Sequence, residues 1–144
     1  MTGNLDEWAN SNNGLMALVL LLDQIPRNVY RSTSAAYSGD SHALELALQA
    51  IAEDRHLRMP LIHRVFLYLP LEHSEDLDLQ EQCVSLFDEL VTNTGLPQMI
   101  RFRRYAAAHR DVIAQFGRFP HRNSPLGRVS TPKELRHMST HKGF

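Results

Sequence analysis

Three polar clusters interrupt an otherwise apolar-patterned chain, and each holds residue types that acid–base or anion-binding chemistry requires. The first, LLDQIPRN, offers Asp23, Gln24, Arg27 and Asn28. The second, LYLPLEHSED, offers Tyr68, Glu72, His73 and Ser74, and the third, AAAHRDVIAQFGRFPHRN, offers His109, Arg110, Asp111, Arg118, Phe119, His121, Arg122 and Asn123. Glu72 beside His73 joins a carboxylate that burial can tune toward neutrality to an imidazole that already titrates there. The plainer reading is that Ser74 caps a helix while Glu72 and His73 tie down the turn. His109 falls three residues after Ala106 and four before Ile113, on or beside an apolar stripe, so its ring is expected to face protein groups. Glu72, His73 and His109 are therefore the candidates for moving protons. Arg118 and Arg122 present planar donors suited to a carboxylate or phosphate, whether that group belongs to Asp23, Glu72 or a ligand, and Arg27 is a further candidate to hold an anionic group. With Asp23, Gln24, Asn28, Tyr68, Phe119, His121 and Asn123 they make up the candidate ligand contacts.

Other chemistries find less support. Despite eight histidines the chain has no HExxH motif, and neither a metal nor a cofactor is expected. Fifteen basic against sixteen acidic residues leave a formal charge of −1, without the global basic excess of a nucleic-acid binder. The local run RFRRYAAAHR, with Arg101, Arg103, Arg104 and Arg110, reads as a solvated face, because no nucleic-acid-binding motif accompanies it. Cys83 is the single cysteine, which excludes an internal disulfide, and its place on an apolar stripe predicts a buried thiol.

The elements that must position these groups are helical. With 43% apolar residues in 144, the chain is long enough for one core, and a single all-helical domain over 1–144 is expected. Residues 1–14 form its variable start, 15–134 the main body and 135–144 a tail. LDEWAN predicts a short first helix. A second runs over about residues 15–24, nearly apolar all round and hence central, and Pro26 is expected to stop it. Asp40 or Ser41 caps a third, carrying Ala43, Leu44, Ala47, Leu48 and Ile51. A fourth begins near Pro60 with Leu61, Ile62, Val65, Phe66 and Leu69 inward, and Pro70 ends or kinks it. Ser74 caps a fifth with the stripe Leu79, Cys83, Leu86, Phe87, Leu90 and Val91, closed by Asn93 and Gly95. The sixth runs from about Pro97 to Phe116 with Met99, Phe102, Ala106, Ile113 and Phe116 inward. Thr131-Pro132-Lys133-Glu134 is a capping box that opens a last short helix. Short connections suit antiparallel pairs.

Written in order, LLDQIPRNVYR, FLYLPLEHSEDL and HRDVIAQFGRFPHRN resemble the bacterial and fungal proteins known as domain of unknown function 924, over roughly residues 15–134. The resemblance implies a tetratricopeptide-like superhelix of about six to seven helices and no general activity. It places Asp23, Gln24, Arg27 and Asn28 in the first family motif, and Tyr68, Glu72, His73 and Ser74 in the second. His109, Arg110, Phe116, Gly117, Arg118, Phe119, Pro120, His121, Arg122 and Asn123 fall in the third. Ile25 stands where relatives often have phenylalanine. Relatives usually begin with an additional aromatic-rich segment, so this chain reads as a short form in which Trp8, a ligand or a second copy covers the surface left bare.

Two functional readings follow. One is a helical binding module that takes a small molecule or peptide in its groove, or forms a homodimer. The other is a small cofactor-independent enzyme, an isomerase, lyase, hydrolase or cyclase, in which His73, Glu72 and His109 handle protons and arginines anchor the substrate. The longest apolar run, LMALVLLL, is too short to span a bilayer, and the start lacks a secretory pattern. A cytoplasmic protein without membrane or nucleic-acid partners is expected.

Overall fold

Leu20 to Gln24 form a single turn of π-helix, and that turn decides what happens at Pro26. Proline lacks the amide that would bond four residues back, and its ring crowds that carbonyl. The chain meets this by widening: Ile25 N–H donates to the Leu20 carbonyl, five residues back. Helix α1 (Asn12–Val19), the π turn and helix α2 (Ile25–Val29) therefore run on without a break. The expectation that Pro26 stops the helix is corrected, because one extra residue in the turn removes the clash that would have stopped it.

The computed structural model describes residues 5–141, and every regular element among them is helical. A 3-10 turn (Asp6–Asn10) precedes α1 where a short helix was expected. Beyond α2 come α3 (Asp40–Ala52), α4 (Leu61–Glu72), α5 (Leu77–Thr94), α6 (Pro97–Phe116) and α7 (Pro132–Thr140). The backbone gathers into two compact units, one holding α1 to α4 and ending at His73, the other holding α5 to α7 from Ser74 onward together with Ser32–Ser34.

In the first unit α1 packs against both α3 and α4, and α3 against α4. Leu15, Leu18 and Val19 are buried, as the apolar run predicts, and Ala43, Ala47 and Ala50 give α3 a flat face for close approach. Three local expectations are corrected here. Residue 39, not 40 or 41, is the N-cap of α3, because the Asp40 carboxylate is taken by Arg27. Pro70 lies inside α4 and does not end it, since the helix continues to Glu72. The inward residues of α4 are Val65, Leu67, Tyr68 and Leu71, whereas Ile62 is exposed.

Gly39 packs against the carbonyl of Leu22, the group that a non-proline residue at 26 would have engaged. A Cβ at Gly39 would run into the Leu22 carbonyl oxygen and lie 2.9 Å from its carbon, both backbone atoms that cannot rotate away. Gly39→Ala is therefore expected to lower stability by about 2–4 kcal/mol, in the range of a strained core substitution. A urea unfolding midpoint equal to that of the parent would refute this packing.

The second unit is built on the α5–α6 pair. Gly95, with a left-handed φ of 62°, ends α5, and Pro97 opens α6 at a position where no amide is needed. Cys83, Leu86, Phe87 and Leu90 are buried on α5 and Met99, Ala106 and Ile113 on α6, as the stripes predict. The cap of α5 differs from expectation: Asp76 accepts from Leu79 N–H at 3.1 Å, and Ser74 instead accepts from Asp76 N–H. Thr131 caps α7 as its capping box predicts, accepting from Glu134 N–H at 3.2 Å. On α6 two of the four arginines of the basic run are paired, Arg103 with Asp88 and Arg110 with Glu81 and Asp111.

Candidate functional site

The π turn places the Asp23 carboxylate, 1% exposed, inside the first unit. Its Oδ1 lies 2.7 Å from Nδ1 of His73, the residue that ends α4. Arg27 Nη1 stands 3.1 Å from the same oxygen and Gln24 Nε2 donates to Oδ2 at 2.6 Å. Burial by itself would raise the Asp23 carboxyl, but the His73 hydrogen bond and charge, then Arg27 and Gln24, together hold it below the ordinary aspartate range. An ionised Asp23 requires His73 to carry its proton on Nδ1, which makes Nε2 the basic nitrogen. A carboxylate that fixes a histidine tautomer in this way prepares it as a proton acceptor.

Arg27 is held from the other side by Asp40, in a two-point pair at 2.7 and 2.9 Å. Its guanidinium also donates to the Asp23 carbonyl at 2.9 Å and lies 5.6 Å from the centre of the Tyr37 ring. This geometry explains why Asp40 does not cap α3, and it makes Arg27 a clamp between two carboxylates.

Glu72 precedes His73 on the last turn of α4 and is 4% exposed. Burial, with the negative charge of Asp23 added, pushes its carboxyl up to about 8. Two carboxyl groups in one cluster are thus driven in opposite directions: Asp23 is ionised and Glu72 carries a proton at neutral pH. Such a split separates acid from base. Tyr68, also on α4, is fully buried, and its hydroxyl accepts from Arg64 Nε at 3.3 Å. Asn28 is exposed and binds the Gln24 carbonyl.

The third cluster and the end of the second meet in the second unit. Gly117 takes φ 71°, ending α6, and the chain turns through the 3-10 segment Pro120–Arg122. Phe119 is buried at the centre: the His109 ring stands edge-on at 5.6 Å, the His121 ring is tilted at 5.7 Å, and the Arg122 guanidinium lies 4.7 Å from its centroid. His109 Nδ1 faces the Tyr105 carbonyl at 2.8 Å, the protein-facing role its spacing predicts. Arg118 pairs with Glu134 at 2.9 Å, neither of the internal partners expected for it. Asn123 donates to Glu134 at 2.5 Å and accepts from Arg128 Nε at 2.9 Å. Arg128 also makes a two-point pair with Glu75, whose Oε1 accepts Phe119 N–H at 2.8 Å. Burial raises Glu75, yet the Arg128 and Phe119 hydrogen bonds and the charges of Arg128 and Arg122 bring it below its usual range. Glu134 is lowered chiefly by its Arg118 hydrogen bond, against burial, with help from Asn123.

Asp23, Gln24, Arg27, Glu72 and His73 are therefore gathered in one unit, while His109, Arg118, Phe119, His121, Arg122 and Asn123 sit in the other. Four residues central to these clusters were not among the candidates. Asp40 reads as a cap and Glu134 as part of a capping box, so their side chains had an apparent local use. Glu75 lies two residues after His73, and its carboxylate was the available signal. Arg128 lies in a turn-rich stretch with no pattern to mark it.

Helices throughout the described residues, with buried charged clusters at their ends, define an all-helical protein with two ion-paired polar centres. The chain belongs to the family of bacterial proteins of unknown function DUF924, whose model matches residues 1–142. That match takes in residues 1–14, which the three motifs do not reach. The chain is also similar to a solved protein of unknown function from Agrobacterium tumefaciens, at 36% identity and a TM-score of 0.82, over 95% of this chain and 73% of that one. No curated protein matches. Among the described residues, no helix is long and apolar enough to cross a membrane.

Proposed function

We propose that the Asp23–His73–Glu72 cluster is an acid–base site acting on a small molecule, with His73 Nε2 as base and Glu72 as acid. The observation that carries this reading is the 2.7 Å Asp23–His73 contact beside a buried carboxyl that stays protonated to about pH 8. A proton taken at one atom of a substrate and returned at another is an isomerisation. Taken from water, it is the first step of a hydrolysis. Arg27 is committed to Asp23 and Asp40, so it positions Asp23 and is not the substrate's anchor. The Glu72 contribution falls as pH rises through about 8, because the acid form is then lost.

The test is incubation of the purified protein with a cell metabolite extract in deuterated water, followed by mass spectrometry. Wild type is expected to alter the mass or deuterium content of at least one metabolite, and His73→Asn and Glu72→Gln to leave it unaltered. A metabolite that is retained unchanged, seen by native mass spectrometry, would transfer support to the binding reading.

That second reading has its own observation. On and just after α2, Ile25, Val29 and Tyr30 are exposed at 48%, 64% and 51%, and Trp8 at 45%. Exposed apolar side chains of this size suit a peptide, a second copy or the groove of a tetratricopeptide-like module. Sedimentation of the full chain as a dimer would favour the second copy.

A further inference from the structure

A cavity of about 540 Å³ opens in the first unit, lined by Arg55, Asp6, Glu53 and Gln49 over an apolar floor of Ala9, Leu15 and Leu46. Its volume lies in the range of small-molecule sites, roughly 300–1,000 Å³. Neither Asp23, Glu72 nor His73 lines it.

Its walls are constructed. The 3-10 turn Asp6–Asn10 is seated on α1 because residue 14 is glycine: a Cβ there would strike the Trp8 carbonyl oxygen and lie 2.8 Å from its carbon. Ser11 closes the junction, accepting from Gly14 N–H at 3.0 Å. On the cavity wall, Arg55 Nε donates to Asn12 Oδ1 at 3.0 Å. Among the described residues that is the one hydrogen bond of the Arg55 side chain, and no carboxylate pairs with it. Asn12 is a neutral acceptor, so it fixes the guanidinium without neutralising it. Gln49 Nε2 donates to Glu53 Oε1 at 3.0 Å, and Asp6 stands 3.7 Å from His42 Nε2.

The charges select the ligand. A simple anion would meet Arg55 but be repelled by Asp6 and Glu53. A simple cation would meet the carboxylates with Arg55 opposed to it. A zwitterion satisfies both, placing a carboxylate on the two Nη groups of Arg55 and an ammonium toward Glu53 and Asp6, while Leu15 and Leu46 receive an apolar side chain. From this geometry we infer that the cavity binds a free amino acid or dipeptide. It is a site separate from the acid–base cluster and does not depend on that reading.

The probes are the common free amino acids and a set of dipeptides, titrated into the full chain by isothermal calorimetry. At least one apolar member is expected to bind with a Kd below ~1 mM, and its N-acetylated and C-amidated analogues at least ~10-fold more weakly, the loss of one charge-assisted contact. Arg55→Gln and Glu53→Gln should each weaken binding by a similar factor, while His73→Asn leaves it unchanged. Should Arg55→Gln fail to fold, the two blocked analogues and Glu53→Gln still decide the matter. No binding by any probe, or binding indifferent to blocking either end, would overturn the assignment.

Discussion

Replacing Asp23 with alanine is expected to cost about 3–5 kcal/mol of stability, the largest effect of any single change in the polar clusters. The Asp23 carboxylate is 1% exposed, lies in hydrogen-bond contact with His73 and Gln24, and ion-pairs with Arg27. Its removal leaves the Arg27 guanidinium and the His73 ring without their shared buried acceptor, and a cation held away from water is then compensated from one side only, by Asp40. Asp40→Ala removes a partner that is 22% exposed, and solvent screening keeps its cost nearer ~1 kcal/mol. The ordering is checked by urea unfolding of both variants, provided the slope with denaturant is unchanged. Equal losses, or a loss below ~1 kcal/mol for Asp23→Ala, would show that the clamp does not depend on the buried carboxylate.

Glu72→Gln is expected to act in the opposite direction and only at high pH. The Glu72 carboxyl moves from an ordinary value of 4.5 in the unfolded chain to about 8 in the folded one. Below 4.5 both states hold the proton, and Glu72 leaves stability unaffected by pH. Between 4.5 and about 8 the folded chain holds a proton that the unfolded chain has released, so stability falls as pH rises, by up to ~1.4 kcal/mol per pH unit. Above about 8 the loss is complete. Glutamine keeps the shape and has no proton to lose, so the variant should match the parent near pH 5 and exceed it by a few kcal/mol at pH 9. Asp23 contributes with the opposite sign: its depressed carboxyl adds stability above 3.8 that is lost as pH falls through the folded value. Thermal unfolding from pH 3 to 9 separates the two, and parallel curves for parent and Glu72→Gln would contradict a protonated Glu72.

These effects share an origin in local chain geometry. Had Pro26 ended the helix, Asp23 would belong to a fraying terminus open to water. Because the chain widens into a π turn instead, Asp23 stays on a helix wall and reaches the end of α4. Such turns recur at functional sites, where a side chain must leave the regular helical register. Gly39 and Asp40 complete the arrangement, the first by approaching the widened turn and the second by holding Arg27.

The sequence by itself determined the helical class, most helix boundaries, the buried Cys83 and the membership of Asp23, Arg27, Glu72 and His73 in polar clusters. Those properties are encoded locally, in apolar spacing of three and four, in proline and glycine at helix ends, and in capping boxes, all of which act within a few residues. Only the tertiary structure decided which charge meets which. Arg27 chose Asp23 and Asp40, Arg118 chose Glu134 and Arg128 chose Glu75. Such pairs join residues up to 53 positions apart. An ion pair depends on distance and burial, and neither is written in the spacing of residues along one helix. Nor could the pattern reveal that a proline would be absorbed by one wider turn. The clash it avoids is a local cost, weighed against packing that only the folded unit supplies.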